Sequence, residues 1–208
     1  MNATEIENAL DELWDFDENR CHILMAIARN KENETTPSTE PNIRKIIETT
    51  NEIREKLLQL NHAISRFDNT YRLYASVNAR NVQKAHRVLQ KDMIDWSHEA
   101  STTGEAVTQM KRVDHEWKSI LQKPHSRDET RFLWDIDTTD NDKISQIEEE
   151  LTEHIIMENP TPNGHHIITR PFNYTELSSF DEEHDKFYSA DCELKKDDLM
   201  FVSYCRKI

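Results

Sequence analysis

The chain has 208 residues, with 40 Asp+Glu against 26 Lys+Arg, a formal net charge of −14, 36% hydrophobic residues and only two glycines, Gly104 and Gly164. Two glycines exclude Walker and Rossmann phosphate loops and argue against β-sandwiches and propellers, which use glycine freely at turns. Three widely spaced cysteines, Cys21, Cys192 and Cys205, form no CxxC pair, so neither a zinc ribbon nor a disulfide framework is indicated.

The N-terminus is acidic and amphipathic, unlike a signal peptide, and the longest apolar run, Ile23 to Ala28, is far too short to span a bilayer. The expectation is a soluble cytoplasmic protein with no membrane partner. Residues 4–29 read as one or two short helices, with Ile6, Leu10, Leu13, Ile23, Leu24 and Ile27 as apolar positions. Residues 30–42 are polar with two prolines and read as a flexible loop. Ile43, Ile46, Ile47, Ile53, Leu57, Leu58 and Ile64 then fall on one stripe, which predicts a long amphipathic helix. The division expected is a helical region over 1–65 and an α+β domain over 66–208.

After Asn69 the period changes from 3.6 to 2. Tyr71–Val77 reads as a strand, and Asn78 as the cap of a helix reaching about Trp96. Another helix is expected from Glu105 to Leu121, a strand from Arg131 to Asp137, and a helix capped by Asn141 or Asp142. The composition of residues 159–164 marks a turn leading into a strand from His165 to Phe172. The polar stretch 178–198 reads as a loop or an insertion, and Leu199–Cys205 as the last strand. Strands interleaved with helices point to an α+β fold with an RRM-like or ferredoxin-like sheet, helices on one face.

Asp135 and Asp137 are the sharpest chemical feature. Spaced i, i+2 on a strand, both carboxylates leave the same face, and two like charges that close call for a cation. Asp15 and Asp17 repeat the spacing, but no strand pattern surrounds them, so they read as solvated helix-end residues. His165 and His166 open a strand after the Asn163-Gly164 turn, one imidazole to each side, and Arg170 shares His166's face. Arg80, Lys84, Arg87 and Lys91 make a basic stripe on one helical face, which is either a solvated face or a contact for a nucleic-acid backbone. Arg72 and Tyr74 could extend it. It lies in the net-basic stretch 66–131, which carries 12 Lys+Arg against 9 Asp+Glu.

The strand Tyr71–Val77, then Phe-Leu-Trp-Asp-Ile-Asp, then Asn-Gly-His-His-Ile-Ile, together resemble the archaeo-eukaryotic primase–polymerase superfamily over roughly residue 71 to the C-terminus. That family carries a hydrophobic-Asp-hydrophobic-Asp motif, a downstream small-x-His motif on a strand, and a third acid on a later strand, on an RRM-like core. The resemblance makes Asp135, Asp137 and His166 the catalytic residues and Asp198 the nearest third acid, with Asp191 a poorer one. The last strand itself has no Asp. It implies Mg²⁺ or Mn²⁺ held by Asp135, Asp137 and Asp198, and a triphosphate contacted by His165, His166 and Arg170. A single-stranded template would lie along Arg72, Arg80, Lys84, Arg87 and Lys91. Nucleoside triphosphates, a template, and a replication helicase or other replisome protein are the partners implied, and a small stand-alone member would suit a virus or mobile element. Two other readings of the same residues stay open: a metal-dependent nuclease or phosphodiesterase, and a non-catalytic acidic interaction protein. No serine or cysteine has the context of a nucleophile.

Overall fold

The structure, a computed structural model, describes residues 2–30, 32, 33, 42–177, 180, 181, 186, 187 and 191–205. Much of the expected loop 30–42, and much of the polar stretch 178–198, lies outside the described residues. The elements are α1 (Ala3–Leu13), β1 (Arg20–Ala28), β2 (Ile43–Ile47), α2 (Ile53–Ile64), β3 (Tyr71–Ser76), β4 (Arg80–Asn81), α3 (Val82–Thr102), α4 (Val107–Lys111), α5 (Val113–Leu121), β5 (Phe132–Ile136), α6 (Asn141–Leu151), β6 (Ile155–Thr161), β7 (Gly164–Thr169), β8 (Phe180–Asp181), β9 (Lys186–Phe187), β10 (Cys192–Lys195) and β11 (Leu199–Cys205). The fold is α+β, and every strand pairing among the described residues is antiparallel.

Two sheets form where one was expected. The first runs β11-β3-β1-β2, with β4 beside β1; the second runs β6-β7-β5-β10-β9-β8. The expected strands at 71–77 and 199–205 therefore sit in one sheet, and those at 131–137 and 165–172 in the other. The helices expected over 20–28 and 43–47 are instead strands β1 and β2. Because β1 pairs with β3, the boundary expected at 65/66 falls inside one sheet.

Burial on both faces explains why β1 does not look like a strand. Leu24 and Ala26 pack toward α1 and α2, while Cys21 and Ile23 pack toward α3 and α5. Both faces being apolar, alternation vanishes and the run Ile23–Ala28 loses its period of two. The second sheet keeps it. Phe132, Trp134 and Ile136 of β5 pack with Ile144, Ile147 and Leu151 of α6, whereas Leu133 joins the core of the first sheet. Trp134 is fully buried and donates its indole N–H to Thr169 Oγ1 at 3.1 Å, so its burial leaves no polar atom stranded.

The caps differ from the expected ones. Asn81, not Asn78, caps α3 by accepting from Lys84 N at 2.9 Å, and Asp140 caps α6 by accepting from Asp142 N at 3.1 Å. Asn78 is buried and ties the end of β3 to the second sheet. Its amide donates to the carbonyls of Arg131 and Lys196 at 3.3 Å each, and its oxygen accepts from Arg131 N at 2.6 Å.

Beneath the first sheet, His22 is buried, stacked on Trp14 at 4.7 Å and edge-on to Phe16. Its Nε2–H donates to the Asp15 carbonyl at 3.1 Å, and Nδ1 has no hydrogen-bond partner among the described residues. Burial, aided by the charges of Arg131, Arg80 and Arg20, outweighs that hydrogen bond and pushes the imidazole down to about 3. The unfolded chain takes a proton on this residue near its ordinary value of 6.5, whereas the folded chain refuses it until about 3. Stability is therefore lost as pH falls across that window. Between pH 7 and pH 5 the loss from this one residue is about 2 kcal/mol. Urea unfolding at the two pH values should show it, and His22→Phe should flatten the difference.

Candidate functional site

The face of the second sheet that α6 leaves open turns toward the first sheet, and between them lies a cleft of about 390 Å³. Strand alternation sends Asp135 of β5 into it, away from α6, and Asp137 lines the same cleft just past the strand end. Cross-strand pairing sets the neighbours: His166 of β7 lies opposite Asp135 on one side, and Glu193 of β10 on the other. Asp198, Lys195, Arg72, Tyr74 and Phe201 complete much of the wall, and Arg29 stands exposed at its rim.

Asp135 is held from both sides. His166 Nε2 lies 3.1 Å from Oδ1, and Lys195 Nζ lies 2.6 Å from Oδ2. Nδ1 of His166 accepts the Phe201 N–H at 3.2 Å, so the ring proton sits on Nε2 and is donated to the carboxylate. Burial by itself would raise the Asp135 carboxyl, but the hydrogen bonds from His166 and Lys195 more than reverse it and hold it well below the usual range. Burial likewise lowers Lys195, and the hydrogen bond and charge of Asp135 turn the balance upward. Both groups are ionised at neutral pH. With each ring nitrogen committed, His166 positions Asp135 rather than reaching for a phosphate.

The other expected residues separate into those inside the cleft and those outside. Arg72 lines it, ion-paired with Glu32 and lying over the rings of Phe201 and Tyr204. His165 stands on the opposite side of β7 from His166, and neither it nor Arg170 lines the cleft. Arg80 is buried in a two-point ion pair with Asp197, both contacts 2.9 Å, so it is absent from any exposed stripe. Lys84, Arg87 and Lys91 are exposed on α3, and Lys84 already donates to the Arg127 carbonyl. Asp191 pairs with Lys143 at 2.5 Å and does not line the cleft. Asp15 and Asp17 pair with Arg131 and Arg20.

Gly164 has a role unlike the one its turn context suggests. A Cβ there would lie 1.8 Å from the Ile136 carbonyl oxygen and 2.9 Å from that of Thr138. The glycine lets β7 come against the end of β5, and no ligand is needed to explain it.

Glu193, Lys195 and Arg29 were not legible as site residues, because β10 and β1 were not legible as strands. The trace of β10 is four residues long: Cys192 and Leu194 buried, Glu193 and Lys195 turned outward. A larger hollow of about 590 Å³ lies against α1, α2 and the end of β11, but among the described residues no carboxylate, imidazole or basic side chain lines it. All three cysteines are buried, and burial pushes the Cys21 and Cys205 thiols up to about 12, which leaves no reactive thiolate. Among the described residues no helix is long and apolar enough to cross a membrane. No family model, curated protein or solved structure matches the chain.

Proposed function

We propose that the cleft carries out metal-dependent nucleotidyl transfer of the primase–polymerase kind, extending or making a primer on a single-stranded template. One observation carries the reading: Asp135 and Asp137, singled out by their spacing, and His166 and Asp198, implied by the resemblance, line a single cleft. The RRM-like core belongs to the same proposal, with β5, α6, β7 and β10 as its elements.

The donor set fits Mg²⁺ or Mn²⁺. Asp135, Asp137, Glu193 and Asp198 offer hard carboxylate oxygens, and a cation, the Lys195 ammonium, already stands among three of them. Among the described residues no three His, Cys, Asp or Glu side chains are already grouped as a metal-holding set, so the carboxylates would have to draw together around an ion. When bound, such ions supply charge that activates a 3′-hydroxyl and neutralises a triphosphate. The chain's own residues do the rest. His166 fixes the carboxylate of Asp135, Glu193 takes the third-acid place beside Asp198, and Arg29, exposed at the rim, meets phosphate. Arg72 is committed to Glu32 and shapes the wall. The exposed cations Lys84, Arg87 and Lys91 remain the proposed template contact, one that lies outside the cleft.

The test is incubation of the full chain with Mn²⁺ or Mg²⁺, labelled nucleoside triphosphates and single-stranded template. The expected result is extended product that disappears in the Asp135→Ala/Asp137→Ala double variant. Degraded template without incorporation would move the assignment to a nuclease, and no metal-dependent change of either kind would make the chain a binding protein.

A further inference from the structure

Lys195 stands within 4 Å of three carboxylates in the cleft. Two residues after Glu193 on β10, it shares that residue's face of the sheet. Its ammonium lies 2.6 Å from Asp135 Oδ2, 3.7 Å from Asp198 Oδ2 and 3.9 Å from Glu193 Oε2. Three carboxylates, Asp135 from β5 and Glu193 and Asp198 from the stretch that carries the lysine, thus share one positive charge. Without it, they would repel one another across a partly buried space. The same oxygens are the ones a divalent ion would need, and an ammonium 2.6 Å from Asp135 Oδ2 competes with such an ion both for that oxygen and by like-charge repulsion.

We propose that Lys195 is a built-in counter-cation, which keeps the Asp135, Glu193 and Asp198 carboxylates gathered before metal arrives and must leave for a divalent ion to enter. The inference rests on the metal-dependent reading above. The geometry allows the exchange: the lysine stem is flexible, and its side chain is only partly buried at the cleft wall. Once released, the ammonium has an anionic substrate in the same cleft as its next partner. Metal and a polyanionic nucleotide would then favour each other's binding, each relieving the charge the other leaves. Bare metal binding by the natural chain is consequently weak.

Mn²⁺ binding to the full chain without nucleotide, read from the loss of the free-ion electron paramagnetic resonance signal, tests this directly. Lys195→Met keeps the length of the side chain and removes the charge. It is expected to bind Mn²⁺ at least tenfold more tightly than the natural chain. It should also melt at a lower temperature in chelator and recover on adding Mn²⁺. If Lys195→Met fails to fold in chelator, Lys195→Gln, which keeps a hydrogen-bond donor for Asp135, is read in its place with the same tightening expected. Equal affinity in the natural chain and the variant would overturn the counter-cation role while leaving the metal site standing. Absence of Mn²⁺ binding in every form would overturn both.

Discussion

Asp135→Asn is expected to lower metal-dependent nucleotide incorporation by ~10³-fold, measured as kcat at saturating Mn²⁺. The size of the effect follows from how the carboxylate is held. Both oxygens accept from donors, His166 at Oδ1 and Lys195 at Oδ2. An asparagine of the same shape offers one oxygen and one amide nitrogen, so one of those donors faces another donor. The group also loses the charge that would hold a cation. His166→Gln, which disturbs only the orientation of the carboxylate, is expected to cost less, ~10–100-fold. Incorporation that survives Asp135→Asn unchanged would remove this cleft from consideration as the site of the chemistry. The same carboxylate has an acid signature. Its value in the fold is depressed, so its contribution to stability is present above the ordinary carboxylate range and lost as pH falls through the lower folded value. In Asp135→Asn that part of the acid response should be missing.

Gly164→Ala is expected to lower folding stability by about 3 kcal/mol, measured as the change in urea midpoint at constant slope. The added methyl would meet the Ile136 carbonyl oxygen at 1.8 Å, and because this is backbone, no side chain can turn aside to make room. β7 would have to part from β5 near Asp137, so activity should fall with stability. Gly104→Ala separates space from conformation. Gly104 has φ of 77°, and nothing lies within 4 Å of the place its methyl would take, so only the left-handed backbone is penalised there, by about 1 kcal/mol. Equal losses at the two glycines would show that the close approach of β7 and β5 is not what Gly164 provides.

How much of this could be read from the chain depended on whether one face of an element stayed polar. β5 was legible because Phe132, Trp134 and Ile136 alternate with Leu133 and Asp135, one set against α6 and the other toward the first sheet. The strand β11 was legible as an apolar run, with its residues as expected. β1 was not, since helices cover one of its faces and helices together with the cleft cover the other. β2 misled differently. Ile43, Ile46 and Ile47 match a helical stripe by spacing and run on toward the true helical residues of α2, with only Thr49 and Thr50 to mark the break. The site divided along the same line. Asp135 and Asp137 could be chosen from residue type and spacing, and His166 and Asp198 only through the resemblance, whereas Glu193, Lys195 and Arg29 depended on strand pairings that no local pattern revealed. Arg80 shows the converse: helical spacing put it on an exposed stripe, and a buried carboxylate, Asp197, drew it inside.

β11 closes the first sheet as an edge strand, and at Phe201 its outward backbone groups are already taken. The N–H goes to His166 Nδ1 at 3.2 Å and the carbonyl to Asn159 Nδ2 at 2.6 Å, just where the register with β3 shifts between Phe201 and Ser203. An open edge is a template on which another chain can add a strand and begin to aggregate. The histidine that orients Asp135 therefore also occupies an edge N–H that an added strand would need at Phe201. One imidazole thus serves two elements at once, the carboxylate of β5 through Nε2 and the backbone edge of β11 through Nδ1.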